Sequence, residues 1–388
     1  MKELFYQYNP WWENDFDIKG IHNRPAIITQ MEKSLSNKSI VIITGLRRIG
    51  KTTAIKLFIK KLLEKNINPK HIFYISLDDY SLRKLSISEI ITEYRKIHKL
   101  SLETKIFLFL DEITYKPDPH IQLKNLYDNQ NVKIYTSSSS ASLLNDKKAL
   151  LTGRETVIEI NPLDFHEFLE FKNIKIKKSE QYLIDPFFEE FLQTGGIPEY
   201  VLSNDREYLT TLVDDIIQKD IISFHNIKTP NIIKDFFILL MERSGKQLSI
   251  NKVANILNIS PDTAKRYLAL FAETYLIYLV PRYGKTNETI LSPKKVYASD
   301  IGIRAAFTGF RDKGSLFENY IYLKIKHKKP SYIYKDGLEI DFFTEDKILI
   351  ESKYNKKIQS KQSTLFDSIE AKKKILISSP LDIISIPF

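Results

Sequence analysis

Residues 45–52 have the types and spacing of a phosphate-binding loop. They read Gly-Leu-Arg-Arg-Ile-Gly-Lys-Thr, which fits the pattern G-x-x-x-x-G-K-[ST]. A mostly apolar, β-branched run at 39–44 precedes the loop, and apolar residues at helical spacing follow it over 53–63. In such a strand, loop and helix, backbone N–H groups surround phosphate oxygens and the helix N-terminus adds partial positive charge. The sequence therefore predicts a site for a nucleoside triphosphate.

The side chains of this loop have separate predicted tasks. Lys51 reaches the terminal phosphates, and the Thr52 hydroxyl is a ligand for Mg²⁺. Arg47 and Arg48 add positive charge that the pattern does not require, and their role is open. ATP and Mg²⁺ are the cofactors that we expect. The residues expected to bind the nucleotide are Gly45, Leu46, Arg47, Arg48, Ile49, Gly50, Lys51, Thr52 and Thr53.

A pair of acids follows a second apolar run, at 106–110. Ligands of open α/β sheets bind at the carboxyl ends of the strands, where Asp111 and Glu112 are then expected to lie. We expect Asp111 to hold the water shell of Mg²⁺ and Glu112 to orient or deprotonate the attacking water. Another strand, at 71–77, lies between the two motifs in sequence, which is typical of the ASCE group of ATPases.

Two further positions in this half of the chain have open roles. Ser138 lies in a run of serines at the end of the next strand, where it either contacts the γ-phosphate or the water, or belongs to a plain serine-rich loop. Arg154 precedes the fifth strand. It either reaches the nucleotide of a neighbouring subunit as an arginine finger, which requires a homo-oligomer, or remains a surface arginine.

Hydrophobic patterns change along the chain and predict four regions. Residues 1–160 alternate strands and helices, as in an α/β fold with a parallel sheet covered on both faces. Residues 161–235 have helical patterns and are interpreted as a helical lid. Residues 236–290 predict a helix-turn-helix of the winged type. Residues 291–388 contain a helix and β hairpins, and we expect an α/β domain there.

The helix-turn-helix offers a surface for DNA. Its two helices are predicted at 247–257 and 262–278. Thr263, Lys265 and Arg266 lie early on the second helix, where base and phosphate contacts are made. The alternative is a winged helix that contacts protein.

The C-terminal region contains two acids and a lysine at the spacing D-x₉-E-x-K. A hairpin folded near residue 346 puts Asp341 opposite Glu351, and the period of a strand puts Lys353 on the same face as Glu351. Carboxylates this close bind Mg²⁺, and a lysine beside them polarises water or phosphate. PD-(D/E)xK nucleases have this pattern, and Glu318 suits their fourth acidic position. The alternative is an acidic hairpin with a salt bridge.

Composition limits the class of protein. The chain has 388 residues, of which 43% are apolar and 27% charged, and it contains no cysteine. Disulfides, a thiol nucleophile and a cysteine-based zinc site are thereby excluded. Apolar runs are too short to span a bilayer and the N-terminus lacks a signal-peptide pattern, so we expect a cytoplasmic protein without a membrane partner. A formal charge of +10 favours an anionic partner such as DNA.

Together these motifs resemble a family of prokaryotic, often archaeal, ATPases with an AAA-type N-terminal domain and a C-terminal DUF4143 region. The resemblance implies an AAA+ core, a winged helix and a restriction-endonuclease-like domain of the PD-(D/E)xK type. Thr136 departs from the family, whose members often have glycine before the two serines. The segments that carry the resemblance are 9–12, 45–53, 110–112, 137–138, 153–154, 195–199, 295–300, 317–319, 339–341 and 351–353.

We therefore expect an ATP-hydrolysing protein associated with DNA, in which the ATP state controls the helix-turn-helix and the nuclease-like region. A second hypothesis is a nucleotide-dependent switch that binds proteins and uses an inactive nuclease fold as a scaffold. A third is a DNA motor, which requires a ring and a reachable Arg154. The residues expected to carry out Mg²⁺-dependent DNA cleavage are Glu318, Asp341, Glu351 and Lys353.

Overall fold

The computed structural model of the protein describes residues 1–14, 16–18, 20–141, 151, 153–205 and 207–385. By their internal contacts, the residues divide into two units, Met1–Ile160 and Asn161–Phe388. Among the described residues, every helix is too short or too polar to cross a bilayer.

A five-stranded parallel sheet lies at the centre of the first unit, in the order β2-β3-β4-β1-β5. The central strands are apolar and buried on both faces, as strands of a helix-covered parallel sheet must be. This confirms the predicted α/β fold, and β4 separates β1 from β3. The strands are β1 Ile40–Thr44, β2 Ile72–Ser76, β3 Ile106–Asp111, β4 Val132–Ser138 and β5 Glu155–Glu159.

Five α-helices accompany this sheet among the described residues of the first unit. They are α1 Lys2–Tyr8, α2 Pro25–Lys33, α3 Lys51–Glu64, α4 Ile87–His98 and α5 Pro119–Asn129. Helix α3 begins directly after the loop, and its apolar residues recur at helical spacing and are buried. Phe58 of α3 packs on Tyr135 of β4 with ring centroids 5.1 Å apart. Helix α3 therefore covers the face of the sheet that carries Tyr135.

Helices dominate the beginning of the second unit, as the pattern over 161–235 predicted. They are α6 Phe165–Phe171, α7 Ile184–Thr194, α8 Pro198–Ser203, α9 Tyr208–Ile216 and α10 Pro230–Glu242, with a π-helical turn at Ile217–Ser223. Gly195, with φ of +74°, ends α7, and Pro198 begins α8. A glycine with positive φ at the end of one helix and a proline in the first turn of the next are suited to these positions, because glycine tolerates this φ and proline needs no N–H partner there.

A small antiparallel sheet in the order β6-β8-β7 follows. Its elements, called the β6–β8 module below, are β6 Gln247–Leu248, α11 Ile250–Ile256, α12 Pro261–Glu273, β7 Ile277–Val280, α13 Thr286–Leu291 and β8 Lys294–Ala298. Helix α12 ends at Glu273, short of the predicted Tyr278, because Tyr275 has a left-handed φ of 58° and the chain then enters β7. Strand β8 lies beyond the predicted boundary at 290/291 and yet belongs to this module, since it pairs with both β6 and β7.

The rest of the second unit is built on a four-stranded sheet in the order β12-β11-β10-β9. Strands β9 to β11 are antiparallel, and β12 joins β11 in parallel. Phe342 pairs with Ile350, and the same register puts Asp341 opposite Glu351, as the hairpin predicted. The elements are α14 Ile301–Thr308, α15 Lys313–Ile325, β9 Ser331–Lys335, β10 Leu338–Phe343, β11 Ile348–Ser352, α16 Ser360–Ser368, β12 Lys373–Ile377 and α17 Pro380–Ser385.

Candidate functional site

The loop at 45–52 connects β1 to α3 in a backbone conformation that needs glycine at both ends. Gly45 has φ of +133°, and a Cβ atom there would lie 2.4 Å from the backbone oxygen of Ile160. Gly50, with φ of +97°, precedes the first residue of α3. L-residues rarely adopt such angles, so the two glycines give the loop its path into the helix.

Lys51 lies inside this loop. Its Nζ donates hydrogen bonds of 3.0 Å to the backbone oxygens of Gly45 and Leu46, and the residue is only 5% exposed. Arg47 is half-buried, whereas Arg48 is exposed and has a left-handed φ of 60°. The structure thus places a buried ammonium where the pattern predicts the phosphates.

Asp111, at the end of β3, accepts hydrogen bonds from three hydroxyl groups. Thr52 Oγ1 lies 2.7 Å and the Tyr74 hydroxyl 2.9 Å from Asp111 Oδ2, and Ser137 Oγ donates to Asp111 Oδ1. The structure therefore brings together Thr52 of the loop and Asp111 of β3, the two residues that are predicted to hold Mg²⁺ and its water shell. Hydroxyl and carboxylate oxygens are ligands that Mg²⁺ accepts, so this donor set fits the ion. Tyr74 was not predicted, because a tyrosine within an apolar strand is typical of a core residue.

Glu112 follows with a left-handed φ of 52°. Its backbone N–H donates to Ser137 Oγ over 2.9 Å, and Ser139 Oγ donates to Glu112 Oε2 over 3.2 Å. Burial raises the pKa of Glu112, while the Lys51 ammonium and the Arg47 guanidinium act in the opposite direction. A carboxylate with a raised pKa is a stronger base, which suits the predicted role of activating water.

Ser138 does not take part in this network. Its hydroxyl donates to the backbone oxygen of Ser140 over 2.7 Å. Side chains alternate along a strand, and Tyr135 faces α3, so Ser137 and Ser139 share that face while Ser138 points away from it. Ser137 and Ser139, rather than Ser138, therefore contact the acids, and a contact of Ser138 with the γ-phosphate or the water stays a prediction.

Arg154 lies just before β5, at the sheet edge opposite the loop of its own chain. Glu155 pairs with Ile40 at the start of β1, whereas the loop follows Thr44 at the other end of that strand. Arg154 Nε lies 3.6 Å from Asp128 Oδ1. The structure does not bring Arg154 to the acids of its own chain, and its role as a finger stays a prediction.

Four acids of the second unit form a second site, which we call the carboxylate cluster: Glu318, Glu339, Asp341 and Glu351. The backbone N–H of Asp341 donates to Glu351 Oε2 over 3.1 Å. Lys353 Nζ donates to Glu351 Oε1. The predicted residues Glu318, Asp341, Glu351 and Lys353 therefore do come together, across α15, β10, β11 and the residue after β11.

Lys295 of β8 extends into this cluster and is completely buried. Its Nζ lies 2.6 Å from Glu318 Oε1, 2.7 Å from Glu339 Oε1 and 3.8 Å from Asp341 Oδ1. The Tyr297 hydroxyl also donates to Glu318 Oε1, over 2.6 Å. Neither Lys295 nor Glu339 was predicted as a site residue. The one signal in the sequence was Lys295 directly before the apolar run Val296–Ala298 of β8.

As it stands, the carboxylate cluster does not fit a metal ion. Ser352 N and Oγ donate to Asp341 Oδ2 over 2.9 and 2.6 Å, and Gln362 Nε2 donates to Glu351 Oε1 over 2.6 Å. Across the described parts of the chain, no three or more His, Asp or Glu side chains are grouped to hold a metal. Unlike the hydroxyl groups around Asp111, the donors to Glu351 are the Lys353 ammonium, the Gln362 Nε2 and the Asp341 backbone N–H, and these nitrogens cannot bind a cation.

The predicted DNA-contact residues lie at the start of α12. The Ser260 hydroxyl accepts the backbone N–H of Thr263 over 3.1 Å and so caps the helix. Lys265 and Arg266 are exposed, and Lys265 Nζ lies 3.6 Å from Asp262 Oδ1. The two cations therefore face solvent on one helix.

Comparisons with known proteins agree with the first site. A family model described as an AAA domain matches residues 37–169. The chain is 31% identical over 351 residues to the uncharacterized protein MJ1544 of Methanocaldococcus jannaschii, and the match covers 85% of this chain and 78% of that protein. The chain belongs to the same family as this archaeal protein. Since the AAA match includes the loop and both acids, residues 37–169 are an AAA-type ATPase domain.

In the second unit, the matching family model is a domain of unknown function, DUF8612, over residues 186–314. The expectation of a DUF4143 region is therefore wrong. An uncharacterized protein of Haemophilus influenzae is 26% identical over 347 residues, covering 85% of this chain and 86% of that protein. The Walker-type ATPase of Pyrococcus abyssi has a TM-score of 0.47 and 15% identity, covering 74% of this chain and 96% of that one.

Proposed function

We propose that this protein hydrolyses ATP in its first unit and that the nucleotide state controls DNA association by its second unit. The observation that supports hydrolysis is the 2.7 Å hydrogen bond between Thr52 and Asp111, with Glu112 next in the chain. Thr52 and Asp111 would hold Mg²⁺, which when bound neutralises phosphate charge.

Different residues of the chain then have separate roles in hydrolysis. Backbone N–H groups of the loop bind the phosphates, and Lys51 exchanges its contacts with two loop carbonyls for phosphate oxygens. Glu112 accepts a proton from the attacking water, and its raised pKa favours that transfer. Ser139 orients the Glu112 carboxylate, and Ser137 holds the backbone of Glu112 and the side chain of Asp111.

Phosphate release by two variants tests this proposal. Lys51→Ala is expected to lower ATP turnover by about 100-fold or more, because the terminal phosphates lose their ammonium partner. Glu112→Gln is expected to retain nucleotide binding and to lose turnover by about 10²- to 10⁴-fold. Lys60→Ala, on the same helix but paired with Asp17 at the surface, is the control. Full turnover by Lys51→Ala would contradict the assignment.

DNA association is supported by the β6–β8 module. Its helices and its strand order β6-β8-β7 fit a winged helix, in which the second helix of the helix-turn-helix contacts DNA. Lys265 and Arg266 are exposed on that helix, and the chain carries a formal charge of +10. Exposed cations of this kind bind phosphates through release of counterions.

A nuclease-like role is supported by the order α15-β9-β10-β11-α16-β12, with Asp341 in β10, Glu351 in the neighbouring β11 and Lys353 directly after β11. Cleavage of linear, nicked and single-stranded DNA with Mg²⁺ or Mn²⁺, beside a Glu351→Ala control, tests it. Equal cutting by both proteins would exclude this site as the source. The second candidate is a nucleotide-dependent switch that binds proteins through an inactive nuclease fold, and it is favoured by the Lys295 ammonium inside the cluster.

A further inference from the structure

We infer that Lys295 is an internal cation that closes the carboxylate cluster to divalent metal ions, so that a metal binds there only when the Lys295 side chain has left. This inference rests on the proposed nuclease-like role of the same cluster. It concerns which cation occupies the cluster and not the cleavage reaction. It can therefore hold or fail whether or not the protein cuts DNA.

The distances support exclusion of a metal by the ammonium. Lys295 Nζ lies within 2.7 Å of oxygens from both Glu318 and Glu339, which come from a helix and a strand. It also lies 3.8 Å from Asp341 Oδ1. A Mg²⁺ ion binds carboxylate oxygens at about 2.0–2.1 Å. It would have to occupy the volume between the same oxygens that the ammonium now fills.

The charges show why the cluster needs a cation. Glu318, Glu339, Asp341 and Glu351 supply four carboxylates, and among the described residues Lys295 and Lys353 form ion pairs with them. Carboxylates buried close together repel one another unless a positive charge lies between them. Removal of Lys295 leaves Glu318, Glu339 and Asp341 without its positive charge, and a divalent ion would supply positive charge in its place. Exchange of one cation for another is therefore the expected behaviour.

The position of Lys295 in the chain connects the cluster to the β6–β8 module. Lys295 pairs with Gln247 of β6 and with Val280 of β7, so its backbone is held in the small sheet. Gln247 Nε2 also donates to Glu339 Oε2 over 2.9 Å. The proposed DNA-contact helix α12 belongs to the same module. A ligand that displaces β8 would withdraw the ammonium from the acids.

Binding of Mn²⁺ alone, measured by electron paramagnetic resonance on the full chain without DNA or nucleotide, tests this inference. The wild type is expected to show no Mn²⁺ binding that depends on Glu351. Lys295→Met removes the charge but keeps an unbranched side chain, and it is expected to bind Mn²⁺ about tenfold more tightly or better, in a manner that Glu351→Ala abolishes. Lys294→Met, at the exposed neighbour on β8, is expected to behave as the wild type.

Thermal unfolding gives a second readout. Lys295→Met is expected to melt lower than the wild type without metal and to recover with Mn²⁺, whereas the wild-type melting temperature does not change. If Lys295→Met fails to fold in either condition, Lys295→Gln provides the test instead, because it also removes the ammonium and keeps an N–H donor for Glu318 and Glu339. That variant is expected to gain Glu351-dependent Mn²⁺ affinity.

Two results would overturn the inference: Glu351-dependent Mn²⁺ binding by the wild type, or no gain in a folded variant that lacks the Lys295 ammonium, Lys295→Met or Lys295→Gln. The nuclease proposal fails separately. Suppose that Lys295→Met binds Mn²⁺ through Glu351 but cuts no form of DNA. That result would support exclusion of the metal by Lys295 and would contradict the nuclease-like role.

Discussion

Ser137 donates its hydroxyl hydrogen to Asp111, so the fourth strand of the sheet positions the acid of the third. The same oxygen accepts the backbone N–H of Glu112 over 2.9 Å. One hydroxyl thus holds both acids, and Thr52 and Tyr74 hold the other oxygen of Asp111. The orientation of the acid pair depends on residues from two other strands, β2 and β4, and from helix α3.

Ser137→Ala is therefore expected to lower ATP turnover with little change in nucleotide affinity. A hydrogen bond to a charged group contributes about 1.5–3 kcal/mol, which corresponds to about ten- to a hundredfold in rate if it is fully used in positioning. Ser138→Ala is the matched control, because its hydroxyl bonds to Ser140 and not to the acids. Phosphate release and binding of a fluorescent ATP analogue measure the two effects. A larger reduction of turnover in Ser138→Ala would contradict the assignment of Ser137 and favour Ser138 as the serine that contacts the γ-phosphate or the water.

A DNA-contact role predicts a specific salt dependence for Arg266→Ala. Removing one cation that binds a phosphate lowers the slope of log K against log salt concentration by about 1 and weakens binding to all sequences alike. Fluorescence anisotropy with a labelled duplex at several salt concentrations measures the slope. Lys234→Ala on α10, whose lysine pairs with Asp214, is the control. An unchanged slope for Arg266→Ala would favour a protein-contact role for α12.

Asp300 is expected to make the second unit more stable at mildly acidic pH. It is fully buried and accepts backbone N–H groups from Gly196 over 2.7 Å and from Ile303 over 2.9 Å. Burial raises the pKa of Asp300 to about 6, above its ordinary value of 3.8, although these N–H groups act in the opposite direction. The folded state therefore binds the proton more tightly, and the stability this contributes is lost as pH rises through about 6.

Urea unfolding of the wild type and Asp300→Asn at pH 5 and pH 7.5, followed by circular dichroism, tests this sign. Because asparagine does not titrate, other groups cancel in the difference between the two proteins. The wild type is expected to gain about 1 kcal/mol relative to the variant between pH 7.5 and pH 5. A difference that stays constant or reverses with pH would contradict a raised pKa for Asp300.

The parts of the fold that sequence predicted are those with local patterns. The loop at 45–52 and the acids after β3 follow from spacing within single segments, and the pairing of Asp341 with Glu351 follows from counting across one turn. Local patterns also predicted the helical start of the second unit. Each of these features depends on residues that are near one another in the chain.

The parts that sequence missed depend on packing between distant segments. Which side chains of β4 point toward α3 decides that Ser137, and not Ser138, contacts Asp111. Lys295 contacts Glu318 and Glu339, which are 23 and 44 residues away in the chain. No periodicity in β8 specifies that Lys295 enters a group of acids, because that requires knowing that its side chain meets residues of both α15 and β10.

The close approach of Gly45 to Ile160 predicts that relatives with the same fold keep glycine at this position. A methyl group at that position would press on the main chain at Ile160, whether or not a ligand is present. A descendant that had replaced Lys51 and no longer turned over nucleotide would still be held to glycine at 45, or would have to rebuild the end of its first strand. Glycine at position 45 is therefore required by the fold itself, whereas lysine at position 51 is required by nucleotide turnover.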